Sequence, residues 1–233
     1  MTIAYLGSTA WATGTGAGTT SAAQDTTGAT LIVIVLSFWN SYPGTPTDNK
    51  GNTYTPLTQR GSAYANQRMF YCENPTVGTG HTFTQPSSSA SSNVSNAVGW
   101  FSGTATSSAF DVESGGNTLA ASITPSQNGS LIVSSATDYY LATAPVSVSG
   151  GFTKVQDFIS SGPDEPACLA YLIQTTAANV TPTWSFSGTS VSQAHTIAAF
   201  KPGAGGGGGG GSDVAAMCSR YGLNSRNGYG LRR

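Results

Sequence analysis

Between Gly28 and Trp39 the chain reads Gly-Ala-Thr-Leu-Ile-Val-Ile-Val-Leu-Ser-Phe-Trp, the longest apolar run in its 233 residues. A strand with one wet face alternates apolar with polar residues, so an unbroken β-branched and aliphatic run between turn formers fits a strand covered on both faces. It is too short for a membrane helix. The run returns a hundred residues later, where Leu131, Ile132 and Val133 match Leu31, Ile32 and Val33, and a glycine precedes each triplet (Gly28, Gly129). The centre of a β-sheet core is written twice.

Alternation and turn signals predict short strands over 3–7, 31–38, 52–57, 67–73, 81–84 and 94–101. A second set covers 110–112, 119–123, 131–137, 152–156, 168–174, 183–186 and 194–200, with no helical period before residue 200. The sets superpose: Gly51-Asn52-Thr53-Tyr54 on Gly151-Phe152-Thr153-Lys154, and Arg68-Met69-Phe70-Tyr71-Cys72 on Cys168-Leu169-Ala170-Tyr171-Leu172. His81-Thr82-Phe83-Thr84 corresponds likewise to Thr183-Trp184-Ser185-Phe186, and Ala97-Val98-Gly99-Trp100-Phe101 to Thr196-Ile197-Ala198-Ala199-Phe200. Repeated order at repeated spacing predicts an all-β, antiparallel, jelly-roll-like sandwich built from two similar units, about 1–103 and 104–202. The short connection between them, without a Pro-rich linker, favours one continuous body over two sandwiches side by side. The Gly- and Thr-rich stretch 13–27 and the Pro-containing loops 41–46 and 160–166 read as exposed excursions.

After Pro202 the composition changes, and residues 203–233 form a poly-Gly linker and a basic tail. Seven consecutive glycines, 205–211, precede a segment in which Ser212 or Asp213 could cap one short helix. Residues 1–202 hold nine acids against five bases, whereas the last 31 residues hold one acid and four arginines. Arg220, Arg226, Arg232 and Arg233 interleave with Tyr221 and Tyr229. Arg and aromatic residues are the usual anchors of protein interfaces, so a protein partner fits this tail better than nucleic acid.

Only 8% of residues are charged, but 38% are apolar and 10% aromatic, so the chain has the means to fold under a hydroxyl-rich surface. The first residues lack the basic and apolar regions of a signal peptide. Cys72, Cys168 and Cys218 are odd in number and widely spaced, which points to reduced thiols rather than a disulfide framework or a zinc site.

Site chemistry is sparse. His81 and His195 lie in predicted strands away from any nucleophile motif and read as structural. Asp111 and Glu113, on one face of a predicted strand, and Asp164 and Glu165, adjacent in a loop, are the carboxylates a glycoside hydrolase would need, but they lack aromatic surroundings. Asp48, Asn49 and Asn52 offer oxygens for calcium, yet a turn accounts for the same residues. Gly14-Thr15-Gly16-Ala17-Gly18 departs from the dinucleotide fingerprint. No catalytic group, metal or cofactor is expected. Trp39 and Tyr42 at the end of the first core strand, and Tyr139 and Tyr140 at the end of the second, could stack on a glycan or simply close the sandwich.

Asp48-Asn49-Lys50-Gly51-Asn52-Thr53-Tyr54, Arg68-Met69-Phe70-Tyr71-Cys72-Glu73-Asn74, Gly80-His81-Thr82-Phe83-Thr84 and Ala97-Val98-Gly99-Trp100-Phe101-Ser102-Gly103 together resemble a family of β-sandwich proteins of tailed phages and prophages. These are fibre, appendage or capsid-surface components. The resemblance covers residues 1 to about 202 and implies a virion structural protein without catalysis, and the reduced thiols point to assembly in a host cytoplasm. The expected partners are capsid or tail subunits, further copies of the chain in a homo-oligomer such as a trimer, which the basic tail and acidic body favour, and a host-surface glycan if the strand-end aromatics bind one, with no membrane. The basic tail lies outside the resemblance and rests on charge alone.

Overall fold

The structure, a computed structural model, describes residues 2–13, 18–40, 42–62, 64–86, 94–139, 146–158, 165–186 and 192–205, and contains no helix among them. The first half of the chain supplies β1 (Ala4–Thr13), β2 (Thr19–Thr20), β3 (Leu31–Phe38), β4 (Thr47–Asp48), β5 (Thr55–Pro56), β6 (Arg60–Ser62), β7 (Ala65–Glu73), β8 (Phe83–Gln85) and β9 (Val94–Ser102). The second supplies β10 (Phe110–Gly116), β11 (Ser130–Asp138), β12 (Ser147–Val148), β13 (Thr153–Phe158), β14 (Ala167–Gln174), β15 (Trp184–Ser185) and β16 (Gln193–Phe200).

Each half builds one main sheet, in the orders β1-β9-β3-β7-β5 and β10-β16-β11-β14-β13, and one small sheet, β2-β8-β4 or β12-β15. Pairing is antiparallel throughout, and the register repeats as well as the order. Ile32 stands opposite Cys72 and Trp100, while Ile132 stands opposite Leu172 and Ala199.

Side chains alternate across a strand, and both faces of each main sheet are covered. Leu31, Val33, Val35, Met69 and Phe101 face Leu131, Val133, Leu169 and Phe200 in a core shared by the two halves. The opposite faces are sealed separately. Ile32, Ile34, Phe70 and Trp100 pack under Phe83 of β8, and Ile132, Ile197 and Cys168 pack under Trp184 of β15. The result is an antiparallel β-sandwich with an added layer on each outer face. This explains why β3 reads as an apolar run with little alternation and why β11 opens on Leu131-Ile132-Val133: every residue of both strands is buried.

One end of the shared core is aromatic, and its contacts are reciprocal. Tyr5 stacks on Tyr171 at 5.1 Å (14° between planes), and Phe110 stacks on Tyr71 at 5.6 Å (15°). Phe101 meets Tyr171 edge-on at 5.6 Å, and Phe200 meets Tyr71 edge-on at 5.5 Å. Each contact has its counterpart with the roles of the halves exchanged, as in a two-fold symmetric interface. Pairs of this geometry contribute about 0.5–1.5 kcal/mol each beyond their area burial.

The register also sorts the strand ends into two poles. At one lie the starts of β1, β3 and β11 and the ends of β9 and β16, together with Thr104, which bridges to Pro202, and Gly203, whose N–H donates to the Gly103 carbonyl. At the other lie Phe38, Val94, Asp138, Ala167 and Gln193. The last described residues, 203–205, therefore lie at the first pole, here called the exit pole. The other is called the loop pole.

Several expectations need correction. Of 52–57 only Thr55–Pro56 is strand, because the preceding residues are taken up by the turn around Asp48. Residues 119–123 form no strand and are held by isolated bridges, Ala120 to Thr183 and Ile123 to Val180. The stretch 13–27 is not a free excursion. Thr19 and Thr20 pair with β8, and Ser21 and Thr26 are buried by polar contacts that an apolar pattern cannot reveal. Pro43, Pro46, Glu165 and Pro166 are buried rather than exposed. Residues 159–164, including Asp164, lie outside the described residues.

Candidate functional site

At the loop pole, β3 delivers Trp39 and Tyr42 just beyond its last residue. Tyr42 is half-buried on the outer face of the first sheet, stacked on Phe70 at 6.4 Å and tilted against Phe38 at 5.9 Å. The Arg68 guanidinium lies 5.0 Å from its ring centroid, and its hydroxyl is 3.2 Å from Thr45 Oγ1. These contacts close the outer core. Trp39 is half-buried, with its indole N–H enclosed and unpartnered among the described residues.

Tyr139 is placed differently. It follows β11 by one residue and stacks across the seam between the halves on Tyr64 of the β6–β7 turn, at 5.3 Å and 23°. Tyr64 is 46% exposed, so this pair offers aromatic surface to solvent. The structure thus separates two residues that sequence placed at matching strand ends: Tyr42 serves a core and Tyr139 a surface. Tyr64 was missed because a lone aromatic in a turn carries no periodic signal. Tyr140 and the tail residues Arg220, Tyr221, Arg226, Tyr229, Arg232 and Arg233 lie outside the described residues, as does Cys218.

The densest polar chemistry joins two of the stretches that carry the family resemblance. Asp48 Oδ1 accepts from the backbone N–H of Lys50 (2.9 Å) and Asn52 (3.1 Å), a side-chain-closed turn that Gly51 completes at φ 77°. Its Oδ2 accepts from the Tyr54 hydroxyl (2.6 Å) and from Asn52 Nδ2 (2.8 Å). The same oxygen lies 3.0 Å from His81 Nε2, near enough for electrostatic attraction although the ring N–H is not aligned for a hydrogen bond. On the far side of the ring, Nδ1 is 2.8 Å from Thr26 Oγ1. Asn49 and Asn52 tie the turn to the backbone at Gly80, Thr82 and Thr76.

Thr26, His81 and Asp48 have the order of a hydroxyl, a base and an acid, but Thr26 and His81 are fully buried, as is the Asp48 side chain. A substrate carbonyl has no route to Thr26 Oγ1, which is held against the Gly78 backbone. The group is a latch fastening β4 to the segment before β8. Burial pushes the Asp48 carboxyl up, but hydrogen bonds from Tyr54 and Asn52, with the nearby His81 ring, outweigh it and hold the pKa below the ordinary value. Burial, reinforced by Asp48, raises the Tyr54 phenol far above its usual range, so it remains a donor. Both Asp48 oxygens are engaged by protein donors that close the turn.

His195 is enclosed in the outer core of the second half. Its Nε2 is 2.9 Å from Ser134 Oγ, which also accepts from Trp184 Nε1 at 2.9 Å. Desolvation lowers its pKa to about 4. The carboxylates Asp111 and Glu113 do not share a face as expected. A bulge between Phe110 and Val112 interrupts the alternation. Asp111 accepts from Ser126 N–H and Oγ, both at 2.6 Å, within its own half, while Glu113 accepts from Thr58 Oγ1 at 2.6 Å in the other half and lies 3.9 Å from Arg60. Cys72 and Cys168 are free and belong to opposite outer cores, with both main sheets between them. Burial raises both thiols, Cys72 to about 11, so neither has thiolate character.

Comparison with protein-family models, with curated proteins and with solved structures found no match to this chain.

His195 and Asp48 give acid lability of one sign. The folded His195 binds its proton more weakly than the unfolded residue does at 6.5, so its contribution to stability is complete above about pH 6.5 and is lost as pH falls towards about 4. The Asp48 contribution is present above its unfolded value of 3.8 and disappears below it. Urea unfolding should show a loss of roughly 3 kcal/mol from the His195 proton between about pH 7 and about pH 4. In His195→Leu that slope should be largely abolished, whatever the variant's stability at about pH 7. An unchanged slope would place the acid-sensitive group elsewhere.

Proposed function

We propose that this chain is a non-enzymatic bacteriophage virion structural protein of the capsid-decoration or fibre and appendage type, whose sandwich projects from the particle and whose C-terminal tail anchors it. The observation that carries the reading is polar geometry in the literal sense. The backbone leaves the sandwich at the exit pole, while exposed aromatic surface lies at the loop pole, at the other end of the central strands. A module attached at one end and presenting the other has this layout. Seven glycines then allow the tail to reach, and they lose more backbone entropy on ordering than other residues would, so a fixed position for it needs contacts from neighbouring chains. The four arginines with Tyr221 and Tyr229 supply contacts towards carboxylates of a shell or of an adjacent copy, in keeping with a body that carries more acids than bases.

A second reading, a receptor- or glycan-binding adhesin module, is favoured by one observation, the exposed Tyr64–Tyr139 stack. Aromatic faces receive the C–H face of a sugar ring, and the pair lies at the pole that would face a host. The two readings are compatible in location and differ in what the loop pole touches.

Deletion of residues 205–233 should leave a soluble, folded body with little change in melting temperature that is missing from purified particles. Incorporation at the normal level would remove the anchoring role. For the second reading, a glycan array probed with the full chain should reveal a ligand whose affinity falls about tenfold in Tyr64→Ala. No retained glycan would leave Tyr64 and Tyr139 as seam-closing residues.

A further inference from the structure

The shared core changes character along its length. From the exit pole the inward positions of β3 are Leu31, Val33 and Val35, followed by Ser37, and those of β11 are Leu131 and Val133, followed by Ser135 and Thr137. Register places further polar groups on the same inward faces, since Ser95 and Gln67 flank Ser37, and Thr196 is paired with Ser135. All of these residues are buried. One link spans the interval: Gln67 Nε2 donates to Ser135 Oγ at 2.8 Å, with Ser37 Oγ at 3.4 Å. Ser135 Oγ donates in turn to the Cys168 carbonyl.

Gln67 Oε1, Ser95 Oγ, Thr137 Oγ1 and Thr196 Oγ1 have no hydrogen-bond partner among the described residues. Sequence parity and strand pairing place all four on the inward faces towards the loop pole, two from each half. Buried polar groups are almost always satisfied, and a cluster of hydroxyls with an amide oxygen, all neutral, calls for a small neutral molecule that can both donate and accept. Every lining group is enclosed, which leaves no passage for a sugar or a peptide. Tyr139, two residues beyond Thr137 and just past the end of β11, stacks on Tyr64 at the same pole.

We propose that this interval is a built hydration site, a cluster of ordered water molecules bridging Gln67 and Ser95 of the first half to Thr137 and Thr196 of the second, closed by the Tyr64–Tyr139 stack. At the loop pole the two halves are then joined through water as well as through the direct Gln67–Ser135 and Ala65–Ser192 hydrogen bonds.

Two measurements on the full chain test this. Thr→Val preserves shape and removes one hydroxyl. If water bridges the groups, Thr137→Val and Thr196→Val each lower the melting temperature, because a bridging partner is lost. If the hydroxyls are dry and merely unsatisfied, each valine raises it, and the proposal is overturned. Independently, water-to-protein cross-relaxation in NMR should show long-lived water at the Gln67 side-chain amide and the Thr196 amide of the unaltered protein. Absence of that signal overturns the proposal even where a variant fails to fold.

Discussion

The inward faces of β3 and β11 present Leu31, Val33, Leu131 and Val133, and neither main sheet could leave such a face in water. Burying an aliphatic or aromatic side chain of this size contributes about 1.5–3 kcal/mol, so the mutual cover of the two sheets is the constraint from which the rest follows. It fixes which residues of every neighbouring strand point inward. It also fixes where the strands end, and so gathers aromatic surface at one pole and the exit of the chain at the other. The reciprocal contacts Tyr5–Tyr171 and Tyr71–Phe110 set the relative orientation of the halves at the exit pole.

In the proposed reading, function depends on form more than on reactive groups. The arrangements that superficially suggest catalysis are occupied in holding the fold. Thr26, His81 and Asp48 are sealed where β4 meets the segment before β8, and Asp111 and Glu113 hold separate segments in separate halves. Tyr64 and Tyr139 leave aromatic surface accessible at the loop pole, and in the proposed reading the basic segment after residue 202 provides the attachment.

Much of the architecture was legible because burial on both faces leaves a mark, an apolar run with little alternation at 31–38 and its echo at 131–133. The latch was not legible, since Asp48 and His81 meet only after β4 pairs with β8. Polarity misled in two ways. Ser37, Gln67 and Ser135 look like surface residues but lie between the sheets, and the Gly- and Thr-rich stretch 18–27 is held by hydrogen bonds rather than by apolar contacts. A bulge, which shifts alternation by one residue, defeated the pairing of Asp111 with Glu113. Of the aromatic candidates, Tyr139 reaches the surface pair, whereas Tyr42 is drawn into the outer core by Phe38, Phe70 and Arg68.

If the shared core makes one body of the two halves, neither should unfold without the other. Differential scanning calorimetry of the full chain is the most direct measurement of this. A single transition with equal calorimetric and van't Hoff enthalpies is the result expected of one cooperative unit. Two resolved transitions, each carrying the enthalpy of about half the chain, would show that the halves fold independently and that the contact between the main sheets does not hold the molecule together.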